Sequence, residues 1–162
     1  MTRAMAALLG GVASTALVAQ PAEPLQLNPF HDPFVQATSG RPCPTPLGPA
    51  YTETARRAES HSRIERGTSC WLAGKCAEPN AYRYDAGIAR AAVTALRAEP
   101  ALATSAIWVT AQRRFVYLEG CVADAAQAAK AEAMVKALPD VELVIPALAL
   151  PGERIPYARL QP

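Results

Sequence analysis

The 162-residue sequence has few aromatic residues, little net charge and only two histidines. Aromatic residues make up 6% of the chain, and the formal charge is +2. Because the basic residues form no run, this charge gives no reason to expect a nucleic acid partner. The sequence also lacks a glycine-rich phosphate loop and a Cys-x-x-Cys pair. Both absences argue against nucleotide-dependent and thiol redox enzymes.

The N-terminus has almost no charge. A single basic residue, Arg3, precedes an uncharged apolar run from Ala4 to Ala19. This order is typical of a secretory signal peptide, and the run is short for a spanning helix of about 20 residues. We expect a signal peptide at residues 1–22, with cleavage after Ala19 or Ala22, and export of the chain. The alternative is an uncleaved N-terminal anchor.

The cysteines of an exported chain favour disulfides. The sequence has four of them, Cys43, Cys70, Cys76 and Cys121, and four cysteines allow three pairings. Cys70 and Cys76 enclose the short loop "WLAGK", so we expect a local bridge there. Cys43 would then pair with Cys121 and would staple the N-terminal segment to the rest of the chain.

Two of these cysteines also allow alternative chemistry. Cys70, Cys76 and His61 offer thiolate and imidazole ligands for zinc, but a fourth ligand would have to come from Cys43 or His31 at irregular spacing. Basic residues near Cys70 in sequence could activate a thiol, although no catalytic partner is evident. We expect no metal, no cofactor and no catalytic cysteine.

Acidic residues at Glu53, Glu59 and Glu65 raise the question of a glycosidase pair. Arginines lie beside them at helix-compatible spacing, and such a pattern is more typical of a solvated, salt-bridged helix face. We therefore expect no enzyme activity from these carboxylates.

Prolines divide the chain into unequal parts. Residues 21–49 contain eight of the fifteen prolines, so we interpret this stretch as a linker or as a strap over another surface. A helix is predicted from about Thr52 to Arg66, with Gly67 as its end. Residues 23–80 as a whole have little apolar content, so we expect an extension that depends on a neighbour or on disulfides.

Regular apolar patterns occupy the next part, and we predict a domain at residues 81–151 and a tail at 152–162. A helix is predicted between Asp85, a candidate cap, and Pro100. Two strands follow and then a helix opened by Asp124. Its predicted packing stripe is Ala126, Ala129, Ala133 and Val135 or Leu138. The pattern ends in a third strand that contains Val144, Leu148 and Leu150.

This order of helix, strand, strand, helix and strand predicts an α+β fold. We expect a small two-layer sandwich with both helices on one face of the sheet. The Pro-rich extension, stapled by disulfides, would be attached to it.

Alternation on the second strand separates two faces of the sheet. Val116, Leu118 and Val122 share one face, with Gly120 between them, and Tyr117 points to the other. Trp108 also falls on that other face. Either the Pro-rich segment covers Trp108 and Tyr117, which we favour for Trp108, or they form an exposed patch for a lipid or protein partner.

The turn between the two strands carries two adjacent arginines. Arg113 and Arg114 would suit acidic headgroups, at about 1 kcal/mol each near a charged surface.

The patterned part resembles a BON domain, a small module of exported bacterial proteins. Val116, Leu118, Gly120 and Val122 match the family motif "V.L.G.V" position for position. The resemblance also includes Asp85, "VTAL", the apolar strand with Ile107 and Val109, and the spacing of the last strand. The cysteine-containing extension is similar to one that precedes single BON domains in proteobacteria.

Three positions depart from the family pattern. "AQRR" occupies the turn where a glycine is usual, Asp140 replaces a glycine before Val141, and Pro146 stands where asparagine is frequent. A proline at Pro146 cannot donate to a strand ladder, so the last strand is expected to be an edge strand or bulged.

The resemblance implies binding rather than catalysis. It implies a periplasmic protein of membrane maintenance or stress that contacts phospholipid or envelope proteins. The alternative is a structural or assembly component that binds a protein partner through its N-terminal extension. Neither the sequence nor the resemblance predicts an oligomeric state.

Overall fold

This computed structural model describes residues 22–160, so the expected signal peptide lies almost entirely outside the described residues. The elements occur in this order: β1 (Gln26–Leu27), β2 (Phe34–Ser39), β3 (Ala50–Tyr51), α1 (Glu53–Leu72), α2 (Asp85–Ala98), β4 (Ala106–Gln112), β5 (Phe115–Cys121), α3 (Ala125–Lys136) and β6 (Leu143–Ala149). Short 3-10 turns at Ala81–Tyr84 and Pro100–Leu102 precede α2 and β4.

The main sheet has four strands in the order β2-β4-β5-β6. Strand β4 runs antiparallel to both of its neighbours, and β6 runs parallel to β5. Helices α2 and α3 pack against one face and against each other. The α+β fold class is therefore confirmed, and β6, which contains Pro146, is an edge strand.

The core lies between this face and the two helices. Apolar side chains alternate on β4 and β5, so every second residue enters the core. The side chains that are fully buried include Leu96, Leu102, Ile107, Val109, Val116, Leu118, Val122 and Val135. Each apolar side chain of this size contributes about 1.5–3 kcal/mol through its removal from water.

The extension supplies one strand of the main sheet, which the sequence patterns do not predict. Strand β2 follows Pro33 and pairs antiparallel with β4 along the edge of the sheet. Proline is compatible with the beginning of an edge strand. The proline count hid a six-residue strand because the prolines lie on either side of it rather than within it.

Gly120 permits the close pairing of β5 with β4. Its φ is +145°, and a Cβ at this position would lie 2.0 Å from the carbonyl oxygen of Ala106. No side chain fits such a gap, so glycine is required here by the approach of the neighbouring backbone.

Helix α3 begins as expected but packs through another face. Asp124 caps the helix, because its carboxylate accepts a hydrogen bond from the backbone N–H of Gln127. The predicted stripe was wrong at its three alanines and right at Val135. Ala126, Ala129 and Ala133 are exposed, and the buried residues are Ala131 and Val135. An alanine-rich helix has little contrast between its faces, so periodicity did not fix its orientation.

Helix α1 is longer than predicted. Thr52 caps it as expected, but Gly67 is buried inside the helix and does not end it. A Cβ at Gly67 would lie 2.6 Å from the side-chain oxygen of Asn80. This glycine therefore allows the chain after the helix to cross close to it, and the helix continues to Leu72.

The outer face of the sheet, opposite the two helices, is covered by the strap (residues 43–51) and the tail (residues 154–160). The backbone N–H of Leu47 donates to the carbonyl of Ala158, and that of Leu160 donates to Thr45. Pro46 is fully buried. The strap interpretation of the Pro-rich segment therefore describes its second half.

Both expected disulfides are present. Cys43 in the strap is bonded to Cys121 on β5, and Cys70 in α1 is bonded to Cys76. The first closes a separation of 78 residues and the second a separation of six. In the chain-entropy view the longer loop stabilises the fold by about 4.5 kcal/mol and the shorter one by about 2 kcal/mol.

Candidate functional site

The turn between β4 and β5 has an unusual backbone for its sequence. Arg113 has a φ of 55° and Arg114 a φ of 67°, so two consecutive residues with side chains adopt the left-handed conformation. Such turns normally use asparagine and glycine, because a left-handed residue with a Cβ costs about 1–2 kcal/mol. A compensating interaction is therefore needed at this hairpin.

Asp85 supplies that interaction. Its carboxylate accepts a hydrogen bond of 2.7 Å from the backbone N–H of Arg113 and another of 2.7 Å from that of Arg114. The expectation that Asp85 caps α2 was wrong. Tyr84 occupies the cap position and makes no side-chain capping bond, while Asp85 is the first helical residue. Its partners are 28 and 29 residues away in sequence, where no local pattern reveals them.

Asp85 is buried, with 2% of its surface exposed. This burial raises the pKa of its carboxyl to about 6, although the backbone N–H groups of Arg114 and Arg113 lower it. Burial therefore disfavours the charged carboxylate of Asp85, and the two backbone N–H groups of the turn offset part of this desolvation cost.

A basic cleft of about 440 Å³ lies beside this hairpin. The end of α1, the loop closed by the Cys70–Cys76 disulfide, the β4–β5 turn and the start of β6 form its walls. The charged residues that line it are Arg66, Lys75, Arg113, Arg114 and Glu142. Four cations and one carboxylate leave a formal charge of +3.

Most of these cations have no carboxylate partner. Within residues 22–160, Arg66, Lys75 and Arg113 make no salt bridge. The guanidinium of Arg113 lies over the ring of Phe115, 4.6 Å from its centroid. The charge of the cleft is therefore available to an anion.

Arg114 has a structural role in the wall of the cleft. Its Nε donates to the backbone carbonyl of Asp140 at 2.7 Å, and its Nη1 lies 3.0 Å from the sulfur of Cys76. Its Nη1 is 3.9 Å from a carboxylate oxygen of Glu142. Arg114 thus joins the hairpin to the disulfide loop, and Arg113 is the freer of the two arginines.

A buried ion pair holds α1 against the sheet and so fixes the other wall. Arg63 pairs with Asp32, which also accepts a hydrogen bond of 2.6 Å from the amide of Gln112. The guanidinium of Arg63 lies between the rings of Phe30 and Tyr82, at 4.1 and 4.4 Å from their centroids. Sequence reasoning did not find this cluster, because Asp32 and Gln112 come from distant parts of the chain.

The aromatic residues predicted as possible contacts lie elsewhere. Trp108 is 7% exposed on the outer face of the sheet. Its ring is therefore not accessible to a partner, in agreement with the expectation that Trp108 is covered. Tyr117 is half-buried and lines a separate cavity of about 210 Å³ with Gly48 and Pro49 of the strap. Burial raises the pKa of the Tyr117 hydroxyl and also that of the Glu119 carboxyl in the same cavity. Neither aromatic residue joins Arg113 and Arg114.

Several of the residues considered for catalysis are engaged in structural interactions. All four cysteines of the described chain are in disulfides. Glu53 pairs with Arg56 and Arg57, and the hydrogen bond with Arg56 is the main cause that lowers the Glu53 pKa to about 2. Within residues 22–160, no three His, Cys, Asp or Glu side chains cluster so as to hold a metal ion. The helices of this same part of the chain are too short or too polar to cross a membrane.

Comparison with known families identifies the domain that carries the hairpin. Residues 84–152 match the BON domain family, so the chain contains a BON domain. The BON domain is a binding module without catalytic machinery, and it is associated with phospholipids and the cell envelope. Among curated proteins, no relative matches the chain. The cleft is built partly by the BON domain, through the hairpin and Glu142, and partly by α1 and its loop, outside the matched residues.

Proposed function

We propose that this protein is a non-enzymatic, periplasmic envelope protein that binds anionic phospholipid through the basic cleft. The observation that carries the proposal is the set of unpaired cations, Arg66, Lys75 and Arg113, around one cavity at the BON hairpin. Phosphate groups of lipid headgroups are anions that such a cavity would accept. Two disulfides support an oxidising compartment.

The alternative function is the capture of a protein partner through the N-terminal extension. The first part of the extension offers little free surface for this, because β2 is paired in the main sheet and the strap is bonded to β5 and to the tail. Deletion of residues 23–80 would remove a sheet strand together with the potential partner surface. Phospholipid contact through the cleft is therefore the better-supported candidate.

The experiment is co-sedimentation of the oxidised, full-length secreted protein with vesicles. We expect binding to vesicles that contain phosphatidylglycerol, little binding to phosphatidylcholine alone, and weaker binding as salt increases. Arg66→Gln, Lys75→Gln and Arg113→Gln are each expected to weaken binding about fivefold, which corresponds to about 1 kcal/mol per charge.

Arg154→Gln is the matched control, because Arg154 is exposed and follows the opposite end of β6 from the cleft. It should leave binding nearly unchanged. The proposal is wrong if a correctly folded protein ignores both kinds of vesicle. It is also wrong if Arg154→Gln weakens binding as much as the three cleft substitutions, because general charge rather than the cleft would then account for the affinity.

A further inference from the structure

The end of α1 presents two large apolar side chains to solvent. Trp71 is 47% exposed and Leu72 is 72% exposed, and they are the last two residues of the helix. Eight large apolar residues are exposed within residues 22–160, and among them Trp71 and Leu72 are the only two that are adjacent in sequence. An exposed tryptophan and leucine side by side therefore need an explanation.

The segment that carries this pair borders the basic cleft. Arg66, which lines the cleft, precedes Trp71 by five residues, and the stretch between Glu65 and Glu78 has Arg66 and Lys75 as its charged residues. Lys75 follows the pair by three residues and lines the basic cleft, as does Ala73 between them. Trp71 and Leu72 lie within one helical turn of these cleft residues, so the apolar pair and the cleft share one end of the molecule.

The backbone that carries the pair is fixed. Gly74 N–H donates to the carbonyl of Trp71 at 2.9 Å, and Lys75 N–H donates to that of Cys70 at 2.8 Å. The Cys70–Cys76 disulfide closes the same loop. Because the backbone at this end of the helix is already ordered, little backbone conformational entropy remains to be lost when the two side chains enter a membrane interface.

The remainder of α1 does not fit a helix that lies flat on a membrane. Its exposed and half-exposed surface carries the ion pairs of Glu53 with Arg56 and Arg57. Ile64 is the other exposed large apolar residue of the helix, at 68% exposure, and it lies two turns before Trp71. An end-on approach would bury Trp71 and Leu72 while the charged part of the helix stays in water.

We infer that the helix end of the extension, Trp71 and Leu72, inserts into the interface of an anionic phospholipid bilayer while the cationic rim contacts the headgroups. The choice of a bilayer follows from charge complementarity. An apolar pair bordered by unpaired cations fits a membrane whose acyl chains are apolar and whose headgroups are anionic. Tryptophan suits such an interface because its ring is apolar and its N–H remains polar. This inference rests on the proposed function and adds an insertion point outside the BON domain.

The two tryptophans of the chain provide a test without added labels. Trp108 is 7% exposed in the sheet and supplies a constant background, whereas Trp71 is 47% exposed. With phosphatidylglycerol vesicles we expect a blue shift of the emission and quenching by lipids that are brominated near the headgroup. Trp71→Ser should abolish both signals. Trp71→Ser combined with Leu72→Ser should weaken vesicle binding about tenfold.

Ile64→Ser is the matched control, because it removes an equally exposed apolar side chain from the same helix. End-on insertion predicts that Ile64→Ser keeps both the signal and the affinity. An equal loss in Ile64→Ser would overturn the end-on geometry. Circular dichroism and a count of free thiols should show that every variant keeps its fold and its disulfides.

Other outcomes separate this inference from the proposed function. If cleft substitutions weaken vesicle binding but Trp71 is neither shifted nor quenched, the insertion is wrong and headgroup binding stands. If the wild-type protein forms a dimer that Trp71→Ser dissolves, and vesicles cause no shift, a second copy occupies this surface and the inference is overturned. If no vesicle binds at all, both proposals fail.

Discussion

Replacement of Asp85 by alanine tests the link between α2 and the arginine hairpin. The substitution leaves the backbone N–H groups of Arg113 and Arg114 without their acceptor, which now lies 2.7 Å from each. An unpaired buried N–H costs about 1–3 kcal/mol, so at pH 7.5 we expect a loss of at least about 2 kcal/mol of the free energy of unfolding. The left-handed turn would also lose the contact that offsets its backbone cost.

The cost of this substitution should increase on acidification. Burial raises the pKa of Asp85 to about 6 in the folded protein, against 3.8 as its ordinary value. Since the folded state binds the proton more tightly, protonation adds stability that is complete below pH 4 and is lost as the pH rises through 6, while the contribution of the two hydrogen bonds remains at pH 7.5. Linkage then gives the wild-type protein about 2 kcal/mol more advantage over Asp85→Ala at pH 4.5 than at pH 7.5.

The assay is urea unfolding of oxidised wild-type protein and Asp85→Ala at both pH values. Asp124→Ala is the control, because Asp124 also accepts a backbone N–H but is exposed at the start of α3. It should cost about 1 kcal/mol at pH 7.5. If Asp85→Ala costs the same or less at pH 4.5 than at pH 7.5, the argument from a buried, desolvated carboxylate is refuted.

Further substitutions test the packing at two glycines and the disulfide of the strap. Gly120→Ala should cost more than about 3 kcal/mol or prevent folding, since the added Cβ would lie 2.0 Å from the carbonyl oxygen of Ala106. Gly87→Ala, at an open helical site, should stabilise by about 0.5–1 kcal/mol in the same unfolding assay, and equal effects of the two would contradict this account. Replacement of Cys43 and Cys121 together by serine should cost about 4.5 kcal/mol; an unchanged urea midpoint would mean that the disulfide does not stabilise the fold.

The sequence predicts those parts of the fold whose signals are local. The alternation of apolar residues around Val116 and Leu118 predicted both β5 and its buried face, because successive side chains of a strand point to opposite sides of the sheet. The cysteine spacing predicted both bridges, because a six-residue separation favours one local pair and leaves the other. Thr52 and Asp124 were predicted as caps, since a cap acts within three residues of itself.

The parts that the sequence did not predict depend on distant partners. In the sequence Gly67 resembles the end of a helix, because the close packing of Asn80 that requires a glycine there is visible only in the structure. From its position before an apolar helical pattern, Asp85 resembles a helix cap, and only the structure shows that its carboxylate binds the backbone of the arginine turn. The cleft could be predicted only in part: Arg113 and Arg114 were named, but Arg66 and Lys75 join them only because the buried pair of Arg63 and Asp32 positions α1.

The Cys43–Cys121 bridge has a consequence for the order of folding. Synthesis proceeds from the N-terminus, so Cys43, Cys70 and Cys76 are all present before Cys121, which closes a loop of 78 residues. The bridge between Cys70 and Cys76 can form early and so removes two wrong partners for Cys43. Strand β2 has no sheet to join until β4 is made, and Cys43 has no native partner until β5 is complete. Early closure of the Cys70–Cys76 loop therefore prevents incorrect pairing of Cys43. The Cys43 thiol then remains available until β5, which carries Cys121, has been synthesised.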